Sequence, residues 1–284
     1  SGERAVQAVV PVLRHLLASE GPSLVNEAVV ARVRGMLHDL ACQLYLGKRG
    51  PAATTPASEQ ALEAITARLV AEDALLAHLH ALALESQLAE KFEASLSLDP
   101  VLSPLLQELI ASDDPAVAEL AMGALAAQAR FMQVQRRMEM PLEELPAELL
   151  GTAIRCAEGL VGPESARALA ALQSGYDEAA TRLALFERLV AAMRRAVVAC
   201  LAFDRAGLAL FASGLAALAE TNRAGIVLSC NAQQTLRLAL ALRAAGLDVP
   251  AIGRQLALFG STSPAYRDLD GVSPREALAQ LAQG

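Results

Sequence analysis

Leucine and alanine recur at helical spacing along almost the whole chain, and this repetition constrains the fold more than any other feature. Both residues favour helices, whereas strands favour β-branched and aromatic residues. Aromatic residues make up 3% of the 284 residues, and tryptophan is absent. The sequence therefore predicts an all-α fold with enough apolar residues to fill a substantial core.

Helix ends are marked by capping residues and prolines. Asp99-Pro100, Asp114-Pro115 and Ser273-Pro274 each place an N-cap residue before a proline at the first helical position. Glu276 follows Ser273 by three residues, which predicts a capping box, and Asn231 with Gln234 is a looser version of the same pair. Gly246 predicts a helix end. The spacing predicts helices over 3–19, 24–46, 58–96, 100–111, 115–138, 146–160, 163–173, 177–201, 205–220, 222–229, 232–245, 248–258 and 274–283.

The segment 47–56 is the clearest loop, because it is rich in Gly, Pro and Thr. It separates two long predicted helices, which indicates an antiparallel hairpin or small bundle over residues 1–97. Shorter helices follow and pair at intervals of about 30 to 45 residues, the scale of HEAT-like α-solenoids. We therefore predict a helical hairpin or bundle over 1–97 and a helical-repeat domain over 98–284.

The charge and cysteine content exclude several classes of protein. A formal net charge of −7 argues against binding to a nucleic acid as the main activity. The cysteines, Cys42, Cys156, Cys200 and Cys230, form no CxxC pair, which indicates buried thiols in a reducing compartment. The sequence shows no export signal, and its longest apolar stretch, 206–219, is too short for a membrane span. We predict a cytoplasmic location and no membrane span.

Several short phrases of the sequence resemble a known family. They are Asp99-Pro-Val-Leu-Ser-Pro-Leu-Leu-Gln-Glu-Leu-Ile, Leu125-Ala-Ala-Gln-Ala-Arg-Phe, Gly175-Tyr-Asp-Glu-Ala and Leu236-Arg-Leu-Ala-Leu-Ala-Leu-Arg-Ala-Ala-Gly-Leu. Over roughly residues 75–260 they are similar to a bacterial family of helical proteins that is described only as a domain of unknown function. The resemblance implies an all-helical, HEAT-like domain with no established activity, and it carries over no functional residues.

His38 is the sharpest local candidate for chemistry. His38, Asp39 and Leu40 resemble the phosphoacceptor box of sensor histidine kinases, although the residues that usually follow are replaced by Ala41, Cys42 and Gln43. Phosphotransfer through His38 is therefore one hypothesis, and a structural histidine on a helix is the simpler one. His38 and Cys42 are four positions apart and could share a helix face, but two ligands do not make a zinc site. We predict no metal and no cofactor.

No catalytic motif stands out. The chain contains no GxSxG nucleophile elbow, no P-loop and no HExxH zinc motif. We therefore predict that the protein is not an enzyme.

Basic residues supply the candidate binding surface. Arg130, Phe131, Arg136 and Arg137 end one predicted helix together with several methionines, and arginine, methionine and aromatic residues are enriched at interfaces. Arg188 and Arg195 are seven positions apart and would face the same way. The alternative in both places is ordinary packing with solvated or ion-paired arginines.

These observations favour a non-enzymatic helical scaffold or adaptor in bacterial signalling. It would bind a protein partner through these residues and form a homodimer through its N-terminal helices. Two alternatives stay open. One is histidine phosphotransfer through His38, and the other is a small-molecule sensor with a pocket between helices.

Overall fold

The structure is a computed structural model that describes residues 10–11, 27–50, 55–231, 234–261 and 264–283. Every regular element within these residues is a helix, and none of them is a strand. The predicted all-α class is therefore confirmed. The helix predicted over 3–19 lies mostly outside the described residues.

The α-helices, numbered in chain order, are α1 (Glu27–Leu46), α2 (Pro56–Ala71), α3 (Asp73–Leu96), α4 (Pro104–Ile110), α5 (Pro115–Arg136), α6 (Ala147–Ala157), α7 (Pro163–Ser174), α8 (Arg182–Ala192), α9 (Phe203–Leu218), α10 (Arg223–Ser229), α11 (Thr235–Ala244), α12 (Val249–Leu258) and α13 (Pro274–Gln283). Short 3₁₀ helices cover Leu142–Glu144, Glu178–Ala180, Arg194–Leu201 and Pro264–Gly271.

Two of the three predicted Pro-marked starts are confirmed. Helix α5 begins at Pro115, and α13 begins at Pro274 with the predicted capping box between Ser273 and Glu276. The start at Pro100 is wrong, because the helix begins four residues later, at Pro104. There Ser103 Oγ accepts from the Leu106 amide at 3.3 Å, whereas Asp99 Oδ1 accepts from two nearby amides and closes a turn.

Other predicted helices have different limits in the structure. The helix predicted over 58–96 is two helices, α2 and α3, because Glu72 is extended (φ −88°, ψ 99°). Neither glycine nor proline marks this break, and buried leucines lie on both sides of it. The helix predicted over 177–201 is likewise divided into a 3₁₀ turn, α8 and the 3₁₀ helix Arg194–Leu201.

The glycine stop and the looser capping pair had opposite outcomes. Gly246 ends α11 with φ +97°, and the Leu247 amide donates back to the Leu242 carbonyl at 3.1 Å, so this prediction is confirmed. The pair of Asn231 and Gln234 is wrong as a cap, because Gln234 is the N-cap residue of α11 and its side chain makes no capping bond.

The contacts divide the chain into two compact units. Among described residues, unit 1 comprises 84–129 and 185–283, and unit 2 comprises 10–83 and 130–184. The sequence analysis divides the chain once, between residues 97 and 98, whereas each compact unit is made of two separate stretches of described residues. The predicted division into two domains stays a prediction.

Unit 1 has an aromatic core. Phe203 lies between 4.4 and 5.2 Å, centroid to centroid, from the rings of Phe92, Phe211 and Phe259. Helix α9 packs on the 3₁₀ helix Arg194–Leu201 so closely that a Cβ atom at Gly214 would lie 2.3 Å from Cys200 Cβ. Only glycine fits this contact without a shift of the neighbouring backbone.

Unit 2 is built around α1. This helix packs against α2, α6 and α7, and its buried face includes Val33, Met36, Leu40 and Leu44. The apolar residues of that face recur every three or four positions, which is the pattern of a helix with one side in a core.

We find no single helix long and apolar enough to cross a membrane in the described part of the chain. The 3₁₀ helix Arg194–Leu201 and α9 together have enough length and apolar character for a span, but the two are bent by 118° relative to each other.

Candidate functional site

A cavity of about 340 Å³ lies within unit 2. Its volume falls in the range of small-molecule sites, about 300 to 1,000 Å³. It is lined by residues of α3, α5 and α8, by residues of the segment after α5, and by Arg49, which follows α1. The apolar side chains of the lining are Leu82, Phe131, Val134, Met140, Pro141 and Leu183.

A buried arginine forms part of the cavity wall. Arg182 is 3% exposed, and its Cζ lies 3.7 Å from the ring centroid of Phe131. A guanidinium at this distance from an aromatic ring makes a cation–π contact. Because Arg182 is the first residue of α8, its amide has no partner within the helix, and it donates to Glu144 Oε2 at 2.8 Å. This bond holds α8 to the segment that follows α5.

Gln135 is the most deeply buried polar residue of the lining, with 0% exposure. Its Nε2 donates to Met36 Sδ at 3.2 Å and to the Glu139 carbonyl at 3.4 Å. No residue in the described ranges donates to its Oε1. A buried acceptor without a donor costs about 1 to 3 kcal/mol, so a donor on a bound molecule would lower the free energy of this site.

Two polar residues of α1 fix the position of the opposite wall. Gln43 Nε2 donates to the Met140 carbonyl at 2.8 Å, and Gln43 Oε1 accepts from the Leu142 amide at 3.2 Å. Asp39 Oδ2 accepts from the Met140 amide and from Gln43 Nε2, both at 2.8 Å. The bonds to Met140 and Leu142 connect positions about a hundred residues apart in sequence and hold Met140 and Pro141 in the cavity lining.

Burial raises the pKa of Asp39 above its ordinary value of 3.8. The Met140 amide and the nearby Arg49 lower this pKa, and Glu139 raises it, but the loss of solvent is the largest effect. The folded protein is therefore less stable with Asp39 ionised than with Asp39 protonated.

Charged side chains surround the opening of the cavity. The exposed residues of the lining include Arg130, Arg137 and Glu143. In the described ranges no acidic residue forms an ion pair with Arg130 or Arg137, whereas Arg49 pairs with Glu139 at 3.1 Å. The whole lining has four arginines, Arg49, Arg130, Arg137 and Arg182, and two glutamates, Glu143 and Glu144. In an acidic chain this is a local excess of positive charge.

The predicted binding residues separate into three groups. Arg130, Phe131 and Arg137 all line the cavity, although Phe131 is 7% exposed and offers little surface to a protein partner. Arg136 is exposed but does not line it. Arg188 and Arg195 are exposed residues of unit 1.

His38 is exposed on α1, and its Nε2 lies 3.6 Å from Cys42 Sγ. An exposed imidazole is what the phosphotransfer hypothesis requires, and that hypothesis stays a prediction. A search of the described residues found no group of three or more His, Cys, Asp or Glu side chains that could hold a metal ion.

The thiols are poor candidates for a nucleophile. All four cysteines are buried, and none is in a disulfide. Burial raises the pKa of Cys156, raises that of Cys200 to about 12, and raises that of Cys230 as well. Because the thiolate is the reactive form, these environments oppose thiol chemistry.

Sequence reasoning missed Arg182, Gln135, Asp39 and Gln43 as residues of the site. A usable signal existed for Gln135, because Gln128 and Gln135 are seven positions apart on the buried side of α5. Two buried glutamines within an apolar stripe indicate hydrogen bonds that local sequence does not explain.

Comparisons with known proteins identified no relative of this chain. A scan against protein-family models, a search of curated proteins and a search of solved structures each found no match. The resemblance to a bacterial helical family therefore stays a prediction, and the functional argument depends on the geometry of the chain itself.

Proposed function

We propose that this protein is a non-enzymatic helical protein that binds a small molecule in the cavity of unit 2. This is the small-molecule sensor hypothesis of the sequence analysis. The observation that carries it is the cavity itself, about 340 Å³ in volume and lined by both apolar and charged side chains.

The composition of the lining supports ligand binding over simple imperfect packing. An empty packing defect is usually small and apolar, whereas ligand sites combine apolar walls with a few convergent polar groups. Here Phe131 and Leu82 supply buried apolar surface, and Gln135 and Arg182 supply buried polar groups. The hydrogen bond that Gln43 donates to the Met140 carbonyl and the one that Asp39 accepts from the Met140 amide position the wall in advance. A preformed site loses less entropy on binding.

Binding of fluorescent probes tests this proposal. Val134 lines the cavity, and Val134→Phe adds bulk inside it. Val198→Phe is the matched control, because Val198 is 57% exposed and belongs to unit 1. The probes are phenylnaphthylamine, which is neutral, and anilinonaphthalene sulfonate, which is anionic.

We expect saturable, equimolar binding of at least one probe to the wild type and to Val198→Phe. We expect at least a tenfold weaker affinity for Val134→Phe, with unchanged circular dichroism. If neither probe binds with a defined stoichiometry, or if both bind Val134→Phe as tightly as the wild type, the proposal is wrong.

The scaffold hypothesis is a second proposal, with HEAT-like helical pairs and an unidentified protein partner. It is favoured by the exposed end of α5, where Arg136 is adjacent to the exposed pair of Arg137 and Met138. Arg136→Glu tests this surface without altering the cavity lining, and Arg167→Glu, on an exposed position of α7, is its control. We expect a stoichiometric partner from native lysate to be lost with Arg136→Glu alone; equal recovery with both variants would count against this surface.

A further inference from the structure

We infer that the ligand of the unit 2 cavity is an amphiphilic organic monoanion, with an apolar body, a carboxylate and a separate N–H or O–H donor. This inference rests on the proposed function and specifies the chemical class of the ligand. It combines the unequal charges of the lining, its apolar walls and the unmatched acceptor of Gln135.

The anionic group follows from the arginines at the opening. Arg130 lies in the last part of α5 and Arg137 directly follows that helix, and both are exposed residues of the cavity lining. A guanidinium matches the geometry of a carboxylate and can donate two parallel hydrogen bonds to it. An anion at the opening would contact these arginines without giving up all of its hydration.

The two glutamates of the lining restrict the charge to one. Glu143 is exposed at the opening, and Glu144 accepts from the amide of Arg182. A second negative charge on the ligand would approach these carboxylates and be repelled. A ligand with a single negative charge is attracted by the arginines and is repelled less by these two glutamates.

The donor follows from Gln135. Gln135 is fully buried, and its Nε2 already donates to Met36 and to the Glu139 carbonyl. Its Oε1 is therefore the atom that can accept a hydrogen bond from a ligand. Because Gln135 is fully buried and Arg130 and Arg137 are exposed, the donor and the carboxylate belong at different ends of the ligand.

Indole propionate is a suitable probe, since it has a carboxylate at one end and a ring N–H at the other. The chain contains no tryptophan, so the fluorescence anisotropy of the indole reports the probe without interference from the protein. Three analogues separate the requirements. Indole propionamide lacks the charge, N-methylindole propionate lacks the donor, and indoxyl phosphate carries a second negative charge.

We expect indole propionate to bind the wild type about tenfold more tightly than the amide, the effect of one charge-assisted hydrogen bond. The N-methyl analogue should bind about fivefold more weakly than indole propionate, and the phosphate should also bind more weakly. Replacing Arg130→Gln and Arg137→Gln together should reduce the affinity for the acid to that for the amide. Arg136→Gln, the adjacent exposed arginine outside the lining, should change neither affinity.

The outcomes separate this inference from the proposed function. If acid and amide bind equally and Val134→Phe abolishes both, the cavity binds small molecules but the inference of an anion is wrong. Tighter binding of the phosphate or of the N-methyl analogue would contradict the single charge or the donor. If Val134→Phe leaves the binding of every probe unchanged, the proposed function is itself wrong.

Discussion

Unit 1 contains a partly buried arginine and unit 2 contains a buried one, and the two arginines have different surroundings. In unit 1, Arg223 makes two hydrogen bonds to the carboxylate of Glu85, at 2.8 and 2.7 Å, and a third to Ser213 Oγ at 2.9 Å. In unit 2, Arg182 lies over the Phe131 ring and borders a cavity. The first arginine binds a carboxylate and a hydroxyl group, and the second lies over an aromatic ring in the lining of the cavity.

This comparison helps to separate structural polar groups from candidate functional ones. Glu85 is 1% exposed, and a carboxylate so deeply buried is tolerated when its hydrogen bonds are made. Gln135 is as deeply buried, yet its Oε1 lacks a donor among the described residues. The hydrogen bonds of Glu85 are explained by the fold alone, whereas the unmatched Oε1 of Gln135 beside the cavity supports the proposal that a ligand binds there.

Arg223→Met should have the largest effect on stability. It removes the Arg223 counter-ion from the buried Glu85 carboxylate, which costs about 3 to 5 kcal/mol. Urea unfolding followed by circular dichroism would measure this. The matched control is Arg205→Met, which breaks an exposed pair with Glu108 and should cost about 1 kcal/mol or less.

The double variant Glu85→Leu with Arg223→Met makes this test more specific. Replacing both charges by apolar groups removes the unpaired carboxylate, so the double variant should be more stable than Arg223→Met alone. A double variant that is equally destabilised would show that packing around the pair, and not the buried charge, causes the loss.

Gln43→Leu should have the next largest effect, and it acts on unit 2. The substitution leaves the Met140 carbonyl without its bond to Gln43 and the Leu142 amide without an acceptor. We expect a loss of about 2 kcal/mol in the free energy of unfolding, together with weaker probe binding because the cavity wall loses its support. Gln173→Leu, at an exposed position of unit 2, should change stability by less than about 0.5 kcal/mol. A Gln43→Leu protein with normal probe affinity would show that these bonds do not position the wall.

Local signals in the sequence predicted the all-α class and several of the helix limits. Asp114-Pro115, Ser273-Pro274 and Gly246 are correct because capping depends on residues within one turn. The start at Pro100 is wrong because a second N-cap and proline, Ser103-Pro104, follow it. The break at Glu72 was not predictable from periodicity, since the apolar spacing continues through it.

The cavity could not be derived from local sequence, because its parts are distant along the chain. The contacts of Gln135 with Met36 and of Asp39 with Met140 join positions about a hundred residues apart, and the pattern of one helix carries no information about them. The end of α5 was still recognisable as unusual. Arg130, Phe131 and Arg137 were identified there by composition, and the structure places all three in the lining.

Arg182→Met should have a smaller effect than Arg223→Met, because the loss of Arg223 removes a counter-ion from the buried Glu85 carboxylate, whereas Arg182 lies over an aromatic ring beside the cavity. The methionine retains apolar contact with Phe131 and loses the cation–π interaction, for which about 1 to 2 kcal/mol is expected. Urea unfolding of the two variants side by side measures the difference. A loss as large as that of Arg223→Met would mean that Arg182 is a structural ion of the same kind, and the contrast between the units would be lost.

Asp39→Asn should have the smallest effect and a characteristic dependence on pH. Because burial raises the pKa of Asp39 in the folded protein, the folded state holds this proton to a higher pH than the unfolded state. The wild type therefore loses stability as pH rises from 3.8 through the raised pKa of Asp39. The Asp39→Asn protein does not lose stability in this way, because asparagine has no charge to bury and can still accept a hydrogen bond from the Met140 amide. Unfolding free energies measured from pH 3.8 to neutrality should shift progressively in favour of Asp39→Asn and then level off.

Glu276→Gln is the control of opposite sign, since hydrogen bonds from Ser273 lower the pKa of Glu276 and stabilise the wild type as pH rises. If both variants change in the same direction, the carboxylate of Asp39 is better stabilised than its burial implies.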